Sequence, residues 1–213
     1  PLTSIRGYIK GVLDGVADTD EKKALYLQTA YESTEDMNAL LQKLFDFSRM
    51  ESGQMPFHMV YADLAEFTSA WTAQKEEVLK SRQIHLSFMQ EKEVMPEVPM
   101  DVDQVPGIFD NLLENSVKYA GVSPLEIRIQ VFEQTGEKPG VIVEWKDNGH
   151  GVPEEKLPQL FERFYRCDES RSEKGGGIGL YVVKYIMERH GGSAKAENDG
   201  GLKIQLFFPK EET

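Results

Sequence analysis

Three side chains in "IFDNLLENSVKYA", residues 108 to 120, could together hold a metal-bound polyphosphate. At 100° per residue, Asn111, Asn115 and Lys118 cluster on one half of a helical wheel, with Asp110 and Glu114 beside them. Ile108, Phe109, Leu112, Leu113, Val117 and Ala120 fall on the other half. Amide oxygens are hard ligands that suit magnesium, and an ammonium neutralises phosphate charge. Asn is a poor helix former, so two of them one turn apart ask for a reason. A solvated helix face is the other reading, with Glu114 and Lys118 as an i,i+4 surface ion pair.

A second candidate is "VIVEWKDNGHGVP", a strand pattern running into a glycine turn. Asp147 stands where the strand should end, followed by Gly149 and Gly151. A carboxylate there can accept a hydrogen bond from an exocyclic amine such as adenine's, and bare glycines let a flat ring approach. Alone, the same letters also spell an ordinary Asp-Asn-Gly turn.

A third is "SEKGGGIGLYVV", residues 172 to 183, where four glycines precede an apolar run. Such a loop is costly to order. It is either a joint or a backbone that must come close to a ligand.

The elements that must position these groups fall into two grammars. Leu2, Ile5, Ile9, Val12 and Val16 alternate spacings of three and four, a heptad rhythm. After "GVADTD" a second helix is expected, capped by Asp20 and running to about Glu51, roughly 45–50 Å long. Its apolar positions include Leu27, Ala30, Met37, Leu41 and Leu44. A lone hairpin cannot bury stripes on both helices, so a four-helix bundle in a homodimer is expected over residues 1 to 55.

From 56 to 213 the pattern changes. "HLSFMQ", "LEIRIQVFEQ", "GVIVEWKD" and "LKIQLFFP" alternate as half-buried strands, and "QTGEKPG" reads as a turn. Helical patterns cover 63 to 81, 103 to 120, 154 to 163 and 178 to 190. The expected class is α+β: a helical hairpin, then a mixed sheet with helices on one face.

Composition narrows the functions. The 213 residues are 40% hydrophobic and 28% charged, with no run long and apolar enough to cross a bilayer. Thirty-six acidic against 24 basic side chains leave a net charge of −12, which opposes binding to nucleic acid. The single cysteine, Cys167, allows no internal disulfide and suits a reducing compartment.

The polar helix, the Asp-x-Gly-x-Gly turn and the glycine loop occur in that order within about seventy residues. The conjunction resembles the ATP-binding domain of bacterial sensor histidine kinases, a GHKL-type (Bergerat) fold shared with gyrase, Hsp90 and MutL. "DNLLENSVKYA" resembles that family's asparagine box, "DNGHGVP" its first glycine box, "LFERFYR" its phenylalanine box and "GGGIGL" its second glycine box. "PLTSIRGYIKGVL" and "LLQKLFDFSRMESGQM" are similar to the family's two dimerisation helices.

The resemblance implies ATP and Mg2+ as ligands. Asn115 would ligate magnesium, with Asn111 beside it. Lys118, Tyr119 and Arg166 would contact phosphates and nucleotide, and Asp147 would take the adenine amine. Gly149 and Gly151 would shape the base pocket. Gly175, Gly177 and Gly179 would present backbone to the phosphates, with Leu180 beside them, and hinge a lid over roughly 167 to 177, mobile without nucleotide. The implied reaction is transfer of the γ-phosphoryl group to a histidine, then to an aspartate of a response regulator receiver domain. The implied location is cytoplasmic, with any attachment to the bacterial inner membrane made through parent segments absent from this sequence.

Two departures stand out. The family's phosphoacceptor histidine lies five residues before the proline that matches Pro1, so it is expected upstream of this sequence, and so is the threonine used for phosphatase activity. The histidines present are His58, His85, His150 and His190, and none lies on the first helix. Gly201-Leu202 replaces the family's usual Gly-Thr before the last strand, at a place expected to be remote from the chemistry.

Overall fold

A computed structural model describes residues 2–167 and 177–211. The chain divides into two compact units, Pro1–Pro56 and Phe57–Thr213.

The first unit is a hairpin of α1 (Leu2–Leu13) and α2 (Asp20–Glu51). Thr19, not Asp20, caps α2: its backbone is extended and its hydroxyl accepts from Lys22 N at 3.2 Å. Asp20 is the first helical residue, where with Glu21 it complements the helix dipole. Gly11 makes room for the ring of Tyr26, which meets Tyr8 edge-on at 5.4 Å. No described residue of α1 is buried, and Leu2, Ile9, Leu13, Leu27, Leu41 and Leu44 all stand exposed.

The second unit orders as β1 (Val60–Ala62), α3 (Leu64–Lys80), β2 (Ile84–Gln90), β3 (Val98–Met100), α4 (Val105–Tyr119), β4 (Leu125–Gln134) and β5 (Gly140–Asp147). A 3-10 turn at Glu154–Gln159 follows, then α5 (Gly179–Arg189), β6 (Ser193–Asn198) and β7 (Leu202–Pro209). Five strands form one mixed sheet in the order β2-β4-β5-β7-β6, with β2 parallel to β4 and the other neighbours antiparallel. β1 and β3 form a separate antiparallel pair.

Alternation puts one face of the sheet inside. Leu125, Ile127, Ile129 and Val131 of β4 point into the core, as do Val141, Val143 and Trp145 of β5 and Ile204, Leu206 and Phe208 of β7. They share it with Trp71 of α3, Ile108, Phe109 and Leu112 of α4, and Val183, Ile186 and Met187 of α5. The architecture is the α+β class expected, a hairpin followed by a mixed sheet covered by helices on one face.

The elements differ from expectation in three places. The pattern at 154 to 163 yields only a 3-10 turn, because Pro158 sits inside it and supplies no amide hydrogen. Strands β1, β3 and β6 carry no strong alternation and escape a reading by period. α3 starts at Leu64 because Asp63 caps it, accepting from Ala65 N at 2.8 Å and Glu66 N at 3.0 Å.

Candidate nucleotide site

The site is built around α4. Val105 starts the helix with Pro106 in its first turn, where a missing amide hydrogen costs nothing. Ile108, Phe109 and Leu112 pin one face to the core, so Asn111, Asn115 and Lys118 must lie off it, and all three are half-buried. Asn111 Nδ2 donates to Gly107 O at 2.6 Å. Its Oδ1 faces the first turn of α5: a Cβ on Gly179 would stand only 3.0 Å from it. The side chain of Asn115 has no hydrogen-bonding partner among the described residues. Lys118 pairs with Glu114, as the i,i+4 spacing allows. Tyr119 is exposed at the end of the helix.

Asp147 ends β5 and is 4% exposed. A buried carboxylate needs donors, and three are present. Ser116 Oγ donates to Oδ2 at 3.0 Å, and Gly149 N and Leu202 N donate to Oδ1 at 3.0 and 3.1 Å. Trp145 Nε1 in turn donates to a lone pair of Ser116 Oγ at 3.1 Å, which leaves the hydroxyl's single proton for Asp147. Oδ2 therefore keeps acceptor capacity for one further donor.

The glycines beside Asp147 have packing reasons of their own. A Cβ on Gly149 would come within 2.6 Å of Ala120 Cα, and His150 N donates to Ala120 O at 3.1 Å. The turn is thus pressed onto the end of α4. Gly151 has φ +69, and Asn198 Oδ1 fills the place a side chain would take. Asn198 bridges to both Val152 N and Val152 O. At Gly201, a Cβ would lie 1.9 Å from Asp147 O. From sequence, Gly201-Leu202 is expected far from the candidate site, and the structure corrects this: β7 starts against Asp147 and supplies one of its donors.

Of the remaining predicted residues, Gly179 stands against Asn111, and Gly177 and Leu180 flank it in the chain. Phe164 N donates to Gly177 O at 3.0 Å, and Gly177 sits against Phe164 and Tyr165, where a Cβ would meet backbone at 2.8 Å. Arg166 follows and is half-buried. Lys156 Nζ donates to Cys167 O at 2.5 Å, tying the 3-10 turn to the end of this segment. Leu180 is buried in the first turn of α5. Gly175 and most of the expected lid, 167 to 177, lie outside the described residues.

Residues 100–212 match the family described as histidine kinase-, DNA gyrase B-, and HSP90-like ATPase. The chain belongs to that family. Within it, residues 1–53 match the His Kinase A (phospho-acceptor) domain. A sensor protein kinase WalK of Staphylococcus haemolyticus is 30% identical over 98% of this chain and 34% of its own length. The chain thus spans about a third of the length of the curated relatives it matches. Among solved structures, the histidine kinase AdeS of Acinetobacter baumannii superposes with a TM-score of 0.74 at 19% identity, covering 99% of this chain and 95% of its own. The histidine kinase ThkA, solved in complex with the response regulator protein TrrA, gives 0.74 at 20%, covering 100% of this chain and 58% of its own. Both show the same fold.

As an ATPase-family member the chain has ATP as its expected ligand, and the donor set can be tested against magnesium. No group of three or more His, Cys, Asp or Glu side chains among the described residues could hold a metal by itself. A hard cation there would rest on the amide oxygens of α4 together with phosphate oxygens, which is how magnesium is usually held beside nucleotides. The unpartnered Asn115 amide fits that role.

Sequence reasoning missed Ser116, Trp145, Asn198 and the Leu202 amide. Ser116 had a signal: it is the one polar residue one turn beyond Leu112, on the apolar half of α4.

Proposed function

We propose that this chain is the kinase and dimerisation portion of a two-component sensor histidine kinase, binding Mg-ATP between α4, the Asp147 turn and the start of α5. The observation that carries the reading is Asp147: a buried carboxylate, held by three donors, with acceptor capacity left beside the polar face of α4. It would take the exocyclic amine of adenine. Asn111, Lys118, Tyr119 and Arg166 would line the phosphate path, and Gly175, Gly177 and Gly179 would lay bare backbone along it, with Leu180 beneath. Gly149 and Gly151 keep the turn close enough for a ring to lie on it. Asn115, with Asn111 beside it, would hold Mg2+, which when bound offsets the charge of the phosphate oxygens.

In the reaction, the bond from the γ-phosphorus to its bridging oxygen breaks and ADP leaves with the electron pair. The lone pair of the unprotonated imidazole nitrogen forms the new bond, and the proton on the other ring nitrogen goes to water. The acceptor is not on the hairpin, because residues 1–57 contain no histidine. His190 is sequestered, with Nδ1 bonded to Ile186 O at 2.7 Å and Nε2 accepting from Asp101 N at 2.9 Å. A hairpin without histidine and a sequestered His190 support an acceptor imidazole that lies upstream of Pro1 in the parent protein. The exposed apolar stripes of α1 and α2 support pairing of two hairpins in a homodimer. The ThkA–TrrA complex supports a response regulator receiver domain as the next phosphate acceptor. The match to the histidine kinase ATPase family supports a cytoplasmic setting for this portion, and no helix among the described residues is long and apolar enough to cross a membrane.

Hydrolysis of ATP is the competing chemistry. It needs a general base, and Asn111, on the helix face turned to Gly179, is an amide that cannot take a proton from water. Incubating a chain extended upstream with γ-labelled ATP separates the two. Acid-labile label on a histidine is expected; rapid release of labelled phosphate with no protein label would overturn the proposal.

A further inference from the structure

The outer face of the sheet, opposite the helices, carries an open cavity of about 240 Å³ whose lining includes Ser87, Glu126, Arg128, Lys146, Asp147 and Asn148. Its charged groups are unequally committed. Lys146 is held by Asp199 at 2.9 Å. Glu126 and Arg128 have no side-chain partner among the described residues, although they lie two apart on β4 and so share one face. Their backbones are about 6–7 Å apart along the strand, within reach of side chains this long, yet the two do not pair. One free carboxylate and one free guanidinium in a single cavity match a ligand that carries both charges.

We propose that this cavity binds a free α-amino acid, its ammonium on Glu126 and its carboxylate on Arg128, with the Ser87 hydroxyl beside them. The site is wired to the nucleotide site, and this second half of the proposal rests on the function proposed above. Asn148, next to Asp147, holds the backbone of Glu126 twice: Asn148 Oδ1 accepts from Glu126 N at 2.9 Å, and Asn148 N donates to Glu126 O at 3.1 Å. Its Nδ2 also donates to Pro124 O at 3.2 Å. A ligand that fixes Glu126 stiffens the turn that aims Asp147, so amino acid and nucleotide bind with positive coupling.

The test uses the 213-residue chain and NMR titration with L-alanine, L-glutamine and L-leucine, with acetate and methylammonium as single-charge controls. At least one amino acid is expected to give saturable shifts at the amides of Ser87, Arg128 and Asn148, with neither control doing so. Glu126→Gln and Arg128→Gln, both at exposed positions, should each weaken that binding about tenfold. No saturable response from any of the three, or the same shifts with acetate alone, would overturn the site. In a second arm, saturating amino acid should tighten an ATP analogue about fivefold, and the analogue should tighten the amino acid equally. Amino-acid binding with unchanged analogue affinity would overturn the coupling alone; an analogue that does not bind at all would overturn the nucleotide site while leaving the cavity standing.

Discussion

Ser116 and Asp147, thirty-one residues apart, share a hydrogen bond of 3.0 Å inside the second unit, and both are at least 95% buried. The contact ties the apolar side of α4 to the end of β5. Its hydroxyl is oriented from behind by Trp145. The carboxylate proposed to take the adenine amine is thus held by a buried residue of α4.

Ser116→Ala should therefore damage two things at once. Asp147 Oδ2 and Trp145 Nε1 both lose their partner, at a cost of about 1–3 kcal/mol. Urea unfolding checks the stability, and a fluorescent ATP analogue should bind more weakly even where the variant remains folded. Unchanged affinity would show that Asp147 holds its place without Ser116.

The start of β7 is expected to be as sensitive as the turn it packs on. Gly201→Ala would drive a Cβ into Asp147 O and should cost more than about 2 kcal/mol. Gly200→Ala is the control: nothing lies within 4 Å of its Cβ, and only its φ of +61 resists. About 1 kcal/mol is expected there. Denaturant midpoints of the two variants give the comparison.

Acid should weaken the second unit through His190. Burial holds this imidazole below its ordinary value, while the bond to Ile186 and the charge of Asp101 oppose that shift. Nε2 accepts from Asp101 N, so a proton added there would meet a donor. Above about pH 6.5, the unfolded value, both states are neutral and the contribution is fully present. As pH falls below that, the unfolded chain takes up a proton that the folded one refuses, and stability drops until the lower folded value is reached. His190→Gln should flatten this part of the stability profile.

Asn111→Asp tests the assignment of chemistry. The new carboxylate would face the start of α5, where a base could act on water. Slow ATP hydrolysis should appear, measured as released phosphate, against little in the parent chain. Strong hydrolysis by the unaltered chain would contradict the kinase reading.

The long elements were legible in the sequence because their periods are strong. α4 and α5 show one apolar side, and β4, β5 and β7 alternate cleanly. β3 is too short and too uniformly buried to show a period, and "SAKAEN" of β6 has no large apolar residue. At 154 to 163 the apolar spacing suggests a helix, but Pro158 overrides it. Asp147 could be found because it stands where an alternating strand meets glycine. Its partners could not, apart from Gly149. The Leu202 amide arrives only through the pairing of β5 with β7, across 55 residues of chain. Gly149 and Gly151 drew notice as glycines, yet the closeness of Ala120 and Asn198 that requires them is a tertiary fact.

Magnesium-dependent binding of a fluorescent ATP analogue to the 213-residue chain, compared with Asp147→Asn, is the most direct measurement. Saturable binding that needs magnesium, lost in Asp147→Asn while that variant stays folded, is the expected result. No binding at millimolar analogue by the folded parent chain, or equal binding by Asp147→Asn, would contradict the nucleotide site.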